Sequence, residues 1–96
     1  MGGEDNIVRL YDLNGRLLQQ FIGHQDWINA VRFAPDEQHI LTGSRDRVAI
    51  LWTLDGQVKN TFMRHQAEVS AVAFSVTGDS ILTGGLDGFA YLWQSN

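Results

Sequence analysis

Histidine, threonine, aspartate and tryptophan recur at fixed offsets in this 96-residue chain, as His24, Thr42, Asp46 and Trp52 and again as His65, Thr83, Asp87 and Trp93. Two kinds of chemistry fit those residue types. A hydroxyl, an imidazole and a carboxylate are the parts of a hydrolase triad. That use needs the hydroxyl exposed beside an oxyanion hole, with the imidazole bridging it to the carboxylate. The same parts also make a buried hydrogen-bond chain. The indole N–H only donates, the hydroxyl and imidazole do both, and the carboxylate accepts. Repetition favours the chain, because enzymes do not usually carry one triad per structural repeat. His24, His39 and His65 share no ligand spacing and there is no cysteine, so neither a metal site nor a cofactor is expected. Gly43-Ser44 and Gly84-Gly85 do not make a phosphate loop, which needs a following helix.

The elements that must position these groups are read from the repeat itself. LTGSRDRVAILW at 41–52 and ILTGGLDGFAYLW at 81–93 are one phrase written twice, with a period of 41 residues and no gap. Repeats of this length signal stacked supersecondary units. The first residues obey the same register: Gly2 answers to Gly43 and Gly84, Asp5 to Asp46 and Asp87, Leu10 to Leu51 and Leu92, and Tyr11 to the two tryptophans. Segment 1–14 therefore duplicates segment 83–96. Within a period the pattern is of strands. INAVRF and VSAVAF alternate, whereas VAILWTL and FAYLWQS are apolar on nearly every residue, as in strands covered on both faces. Turn residues separate them, among them Pro35-Asp36, Gly78-Asp79, Asn14-Gly15, Asp55-Gly56 and Asp87-Gly88. The expectation is an all-β fold with four short antiparallel strands per period. The first strands lie at about 28–34 and 69–75 and the second at about 38–43 and 79–84. The third lie at about 7–13, 48–54 and 89–94, and the fourth at about 16–22 and 57–63. No segment holds a helical apolar period with caps.

Composition narrows the function class. The net charge of −4, with both signs interspersed, argues against a general binder of nucleic-acid backbone. No apolar stretch approaches the length of a membrane span, and the N-terminus does not read as a signal peptide. Absence of cysteine fits the cytosol, so a cytoplasmic location is expected.

The period, the Gly23-His24 pair, the Asp46 and Asp87 turns and the Leu-Trp endings together resemble WD-repeats over the whole chain. That resemblance implies four-stranded blades of a β-propeller, about two per chain. Residues 1–22 would give the third and fourth strands of one blade, 23–63 a full repeat, and 64–96 the first three strands of the next. The phrase ILTGS-D with LW-L-G is similar in flavour to bacterial members. The Trp-Asp dipeptide of the family is Trp52-Thr53 and Trp93-Gln94 here, and only Tyr11-Asp12 keeps the aspartate. Gly-His becomes Arg64-His65, and Met1 stands where Thr42 and Thr83 stand, so the partial first copy has no complete set. The resemblance implies a structural hydrogen-bond role for His24, Thr42, Asp46, Trp52, His65, Thr83, Asp87 and Trp93. It also implies a partner-binding rim at Trp27, Asn29 and Arg45 in one copy and Glu68, Ser70 and Leu86 in the next. Trp beside Arg is a pairing enriched in binding hot spots.

A blade needs neighbours on both faces, and a propeller closes with about 4–8 blades. The expected partners are therefore other copies of the chain, in a trimer giving six blades or a tetramer giving eight, with a protein or peptide ligand on the rim. Residues 2–14 and 84–96 would compete for one strand position. The function expected is a non-catalytic protein-interaction and assembly module. The alternatives are an engineered or truncated repeat fragment with no specific ligand, and a hydrolase using a His-Thr-Asp set.

Overall fold

Residues rich in valine, isoleucine, threonine and aromatics form strands wherever turn residues bracket them. The computed structural model describes residues 7–63 and 65–94. Over these it shows β1 (Ile7–Tyr11), β2 (Leu17–Ile22), β3 (Ile28–Phe33), β4 (His39–Ser44), β5 (Ala49–Thr53), β6 (Val58–Phe62), β7 (Val69–Phe74), β8 (Ser80–Gly85) and β9 (Ala90–Gln94). Among the described residues there is no helix. The readings that fall on Met1, Gly2, Asp5 and Arg64 lie outside the described residues.

The strands build three antiparallel sheets in chain order: β1-β2, β3-β4-β5-β6 and β7-β8-β9. Each hairpin turn uses one design. In the turns after β1, β4, β5 and β8 a backbone bond closes four residues, and the last of them takes a positive φ. Gly15, Gly56 and Gly88 hold that position at φ between 83° and 91°, but after β4 it is Arg47 at 72°. After β3 the positive-φ residue is Glu37 at 60°, where the next repeat has Gly78 at 81°. This turn-plus-bulge pattern matches the right-handed twist of the flanking strands.

The middle sheet is covered on both faces, and its alternation shows why β4 and β5 are apolar throughout. Ile40, Ile50 and Trp52 face the first sheet and pack with Val8 and Phe21. Leu41, Ala49 and Leu51 face the third sheet and pack, together with Phe62, against Val69, Val72 and Ile81. Successive side chains of a strand point to opposite faces, so a strand between two layers has no polar side left. Burying each large apolar side chain contributes about 1.5–3 kcal/mol. The same aromatic contact recurs at both junctions. Phe21 meets Trp52 edge-on at 5.6 Å between ring centroids, and Phe62 meets Trp93 at 4.9 Å.

Close approach of the sheets needs glycine at one position. A Cβ on Gly43 would come within 2.7 Å of Val69 Cγ1 and 3.0 Å of Val72 Cγ1. Its counterpart one period later, Gly84, has nothing within 4 Å. The face of the third sheet that carries Gly84 is open. Leu82 is 47% exposed and Leu92 72%, although the equivalent Leu41 and Leu51 are buried.

Candidate functional site

In β4 and β5, Ile40 pairs with Trp52 and Thr42 with Ile50. Trp52 and Thr42 are thus diagonal neighbours on one face, within reach of a long aromatic side chain. The indole Nε1–H donates to Thr42 Oγ1 at 2.9 Å. The loop between β2 and β3 carries His24 to the same oxygen, with Nε2 at 2.5 Å. Nδ1 of that ring lies 2.9 Å from Asp46 Oδ2. Asp46 sits in the turn between β4 and β5, and its carboxylate also accepts the Gln25 N–H at 2.9 Å and the Val48 N–H at 3.1 Å. Gly23 lets the loop pass close over the indole, since a Cβ there would stand 2.9 Å from Trp52 Cη2.

The atoms fix the direction of the chain. A carboxylate only accepts, so the imidazole proton belongs on Nδ1. Nε2 then accepts from the Thr42 hydroxyl, whose own oxygen accepts from the indole. This arrangement is complete with a neutral imidazole. Burial pushes the His24 pKa below its ordinary value, outweighing the upward pull of the Asp46 hydrogen bond and charge.

The second set repeats the geometry. Trp93 Nε1 donates to Thr83 Oγ1 at 3.0 Å, His65 Nε2 is 2.8 Å from that oxygen, and His65 Nδ1 is 3.2 Å from both oxygens of Asp87. Gln66 N–H and Phe89 N–H donate to Asp87. The Gln66 bond is the main cause that lowers the Asp87 pKa, with Phe89 and His65 adding to it. Tyr91 stands edge-on to His65 at 4.9 Å.

Each set has the proton order of a hydrolase triad, but not its access. Thr42 and Thr83 are fully buried, and each hydroxyl oxygen is already engaged by an indole N–H and an imidazole. Among the described residues no three His, Asp or Glu side chains gather as a metal site.

The rim residues divide. Trp27, Asn29, Arg45 and Glu68 meet across the junction of the second and third sheets. The Arg45 guanidinium lies 4.9 Å from the Trp27 ring centroid, and Arg45 Nε is 3.6 Å from Glu68 Oε2. Asn29 Nδ2 donates to Glu68 Oε1 and to the Val69 carbonyl, each at 3.0 Å. Trp27 stays 46% exposed. Ser70 instead donates to the Gly84 carbonyl at 3.3 Å, and Leu86, with its side chain exposed, donates its backbone N–H to the Glu68 carbonyl at 3.0 Å.

One buried group falls outside the repeated set. Ser44 is fully buried, donates to the Trp27 carbonyl at 2.7 Å and accepts from the Asp46 N–H at 3.2 Å, bracing the turn that holds the carboxylate. Its counterpart is Gly85, where a Cβ would come within 2.5 Å of His65 Nδ1. The two copies differ here, so the repeat pattern gives no sign of it.

The family model described as "WD domain, G-beta repeat" matches residues 15–53 and 56–94. A stretch of 43 residues is 37% identical to "Nuclear distribution protein PAC1" of Tuber melanosporum (strain Mel28), covering 45% of this chain and 10% of that protein. A stretch of 41 residues is 32% identical to "Nuclear distribution protein nudF 2" of Talaromyces marneffei (strain ATCC 18224 / CBS 334.59 / QM 7333), covering 43% of this chain and 9% of that protein. The matched stretches thus span about a tenth of the length of these curated relatives. The bacterial flavour read from the repeated phrase has no counterpart in these relatives.

Proposed function

The chain belongs to the WD-repeat family, and from that membership we propose that it is a non-catalytic assembly module whose copies join into a closed ring of blades. WD repeats make protein-interaction scaffolds. The finer reading, self-association, is carried by one observation. The middle sheet is covered on both faces, while the same face of the third sheet leaves Leu82, Leu92 and Gly84 open. An apolar sheet face of this kind is an association surface. Three copies would give six blades and four would give eight.

The rim gives the ring a second use. Trp27 offers an exposed aromatic face, and Arg45 is held over it by Glu68. A peptide carboxylate competing with Glu68 for Arg45, beside an apolar residue on Trp27, fits that cluster. The length of the relatives supports another reading of the open face, in which further blades on the same chain cover it.

Native mass spectrometry of the 96-residue chain over a range of concentrations tests the proposal. A trimer or a tetramer is expected. A folded monomer at every concentration would sink self-association and leave coverage in cis.

A further inference from the structure

We propose that a groove between the loop after β2 and the outer half of the middle sheet docks an unphosphorylated tyrosine side chain of a partner peptide. The groove is built within one copy and shares no residue with the Trp27 cluster, so it does not rest on self-association. A pocket of 390 Å³ opens there. Val48 and Ile50 wall it from the side of β5, and Val58 and Met63 from the two ends of β6. Asp46 and Thr61 bring polar atoms to it. Ligand pockets hold about 300–1,000 Å³ and combine apolar walls with a few placed polar groups. Val58 is 50% exposed and Met63 70%, so the walls are within reach of a partner. The groove is not a strand position. In the middle sheet β4 lies beyond β5 from β6, so by the same order any further strand of the first sheet would pair beyond β1, away from β2.

The occupant is read from the second repeat. There one column of the sheet is Phe89, Tyr91 and Trp93, with successive ring centroids 6.3 Å and 5.9 Å apart. Tyr91 also stands edge-on to His65. One period earlier the same column is Val48, Ile50 and Trp52. Trp52 keeps its place beside His24, with centroids 6.2 Å apart, but two aliphatic side chains stand where the other two rings would be. The pocket is the room those rings would fill. A ring entering from a partner lies over Ile50 as the Tyr91 ring lies in its own column. It covers Val58 and meets the Met63 thioether, a favourable sulfur–aromatic contact. Tyrosine is among the side chains enriched in binding hot spots.

Asp46 separates tyrosine from phenylalanine. Among the described residues its Oδ2 accepts from His24 and from the Gln25 N–H, and its Oδ1 from the Val48 N–H. Each carboxylate oxygen has two lone pairs, so Oδ1 has one acceptor position left for a phenol O–H. That bond is charge-assisted and of the stronger kind. Asp46 is also the one charged group among the described lining residues. Phosphorylating the tyrosine would add a charge of about −1.5 to −2 beside it, and the groove would reject the modified side chain.

Methyl-detected NMR of the 96-residue chain tests this, with a blocked pentapeptide carrying one tyrosine among glycines as the probe. The tyrosine peptide should shift the methyl signals of Val48, Ile50, Val58 and Met63 and leave those of Val69 and Val72 in place. The phenylalanine peptide should bind about tenfold more weakly, for want of one hydrogen bond to a charged acceptor. The phosphotyrosine and alanine peptides should shift nothing. Ile50→Tyr puts the second repeat's ring into the first and should abolish binding. Thr61→Phe closes the same space from an exposed position directly opposite Ile50, and it serves if Ile50→Tyr does not fold. Docking is overturned if the tyrosine peptide moves none of the four methyl signals in the folded chain. It is equally overturned if a folded variant binds that peptide as tightly as the unmodified chain does. A phenylalanine or phosphotyrosine peptide that binds as well as the tyrosine one overturns the role of Asp46, and with it the choice of tyrosine. Subunit number enters none of these readings, so self-association stands or falls separately.

Discussion

Thr42 is the junction through which three elements are tied. Its oxygen accepts from Trp52 and its hydroxyl donates to His24, all of it in the interior. Valine has the same shape and neither function. Thr42→Val leaves the indole N–H and the imidazole Nε2 unpaired at once, and each buried polar group so stranded costs about 1–3 kcal/mol. The expected loss is about 2 kcal/mol or more, read as a shift of the urea midpoint. The imidazole adds a dependence on pH. Because the folded His24 pKa lies below 6.5, the unfolded chain holds a proton there that the folded chain refuses. Its contribution is complete above pH 6.5 and is lost as pH falls from there toward the folded value. Asp87 acts lower, its folded pKa being depressed from 3.8, so its contribution is present above that value and disappears as pH falls through the folded one. The urea midpoint should fall between about pH 7.5 and 5, and again in stronger acid. A midpoint that stays level over the first interval would mean that His24 titrates in the fold as it does in the open chain.

Among the elements, the turns carry the least obvious cost. Arg47 and Glu37 adopt the left-handed conformation that glycine holds at Gly88 and Gly78 in the next repeat. A side chain there costs about 1–2 kcal/mol against the glycine that suits it, partly offset by the entropy that glycine loses on folding. Arg47→Gly should therefore raise the thermal midpoint, with a gain of about 0.5–1 kcal/mol, and Glu37→Gly should do the same. A fall for both would show that these side chains make contacts worth more than the backbone conformation. The strands themselves are legible in the sequence to within two residues at each end, because apolar alternation and turn residues agree. The blank left by the sequence is what one repeat does to the next. Glu68 bracing Arg45 crosses a sheet junction, and no spacing within a period announces it. The types and offsets of the His-Thr-Asp-Trp sets are plain in the sequence, but the bracing by Ser44 is not, since only one copy has it. The left-handed φ at Arg47 is equally hidden, as arginine gives no sign of it.

For the molecule as a whole, the distance between sheets is the controlling quantity. Gly43 sets it at one junction, and Gly43→Val forces overpacking against Val69 and Val72. That should cost about 1–3 kcal/mol in the single copy, whereas Gly84→Val should leave the melting of a single copy unchanged. Comparing the two melts at a dilution where the chain is monomeric checks the contrast. Equal losses would mean that the third sheet's open face is not open in solution. The two faces of each sheet also differ from one another. One presents tryptophan, histidine and threonine, and the other presents glycine, leucine and alanine. Such a surface is complementary to its opposite and not to itself. In the proposed assembly, contacts between copies would therefore be heterologous, head to tail, with every subunit related to the next by the same rotation. A two-fold pair made by matching like face to like is not built by these residues. The choice is between rotations that close into a ring and rotations that miss closure and wind into a filament, and the twist between neighbouring sheets decides which.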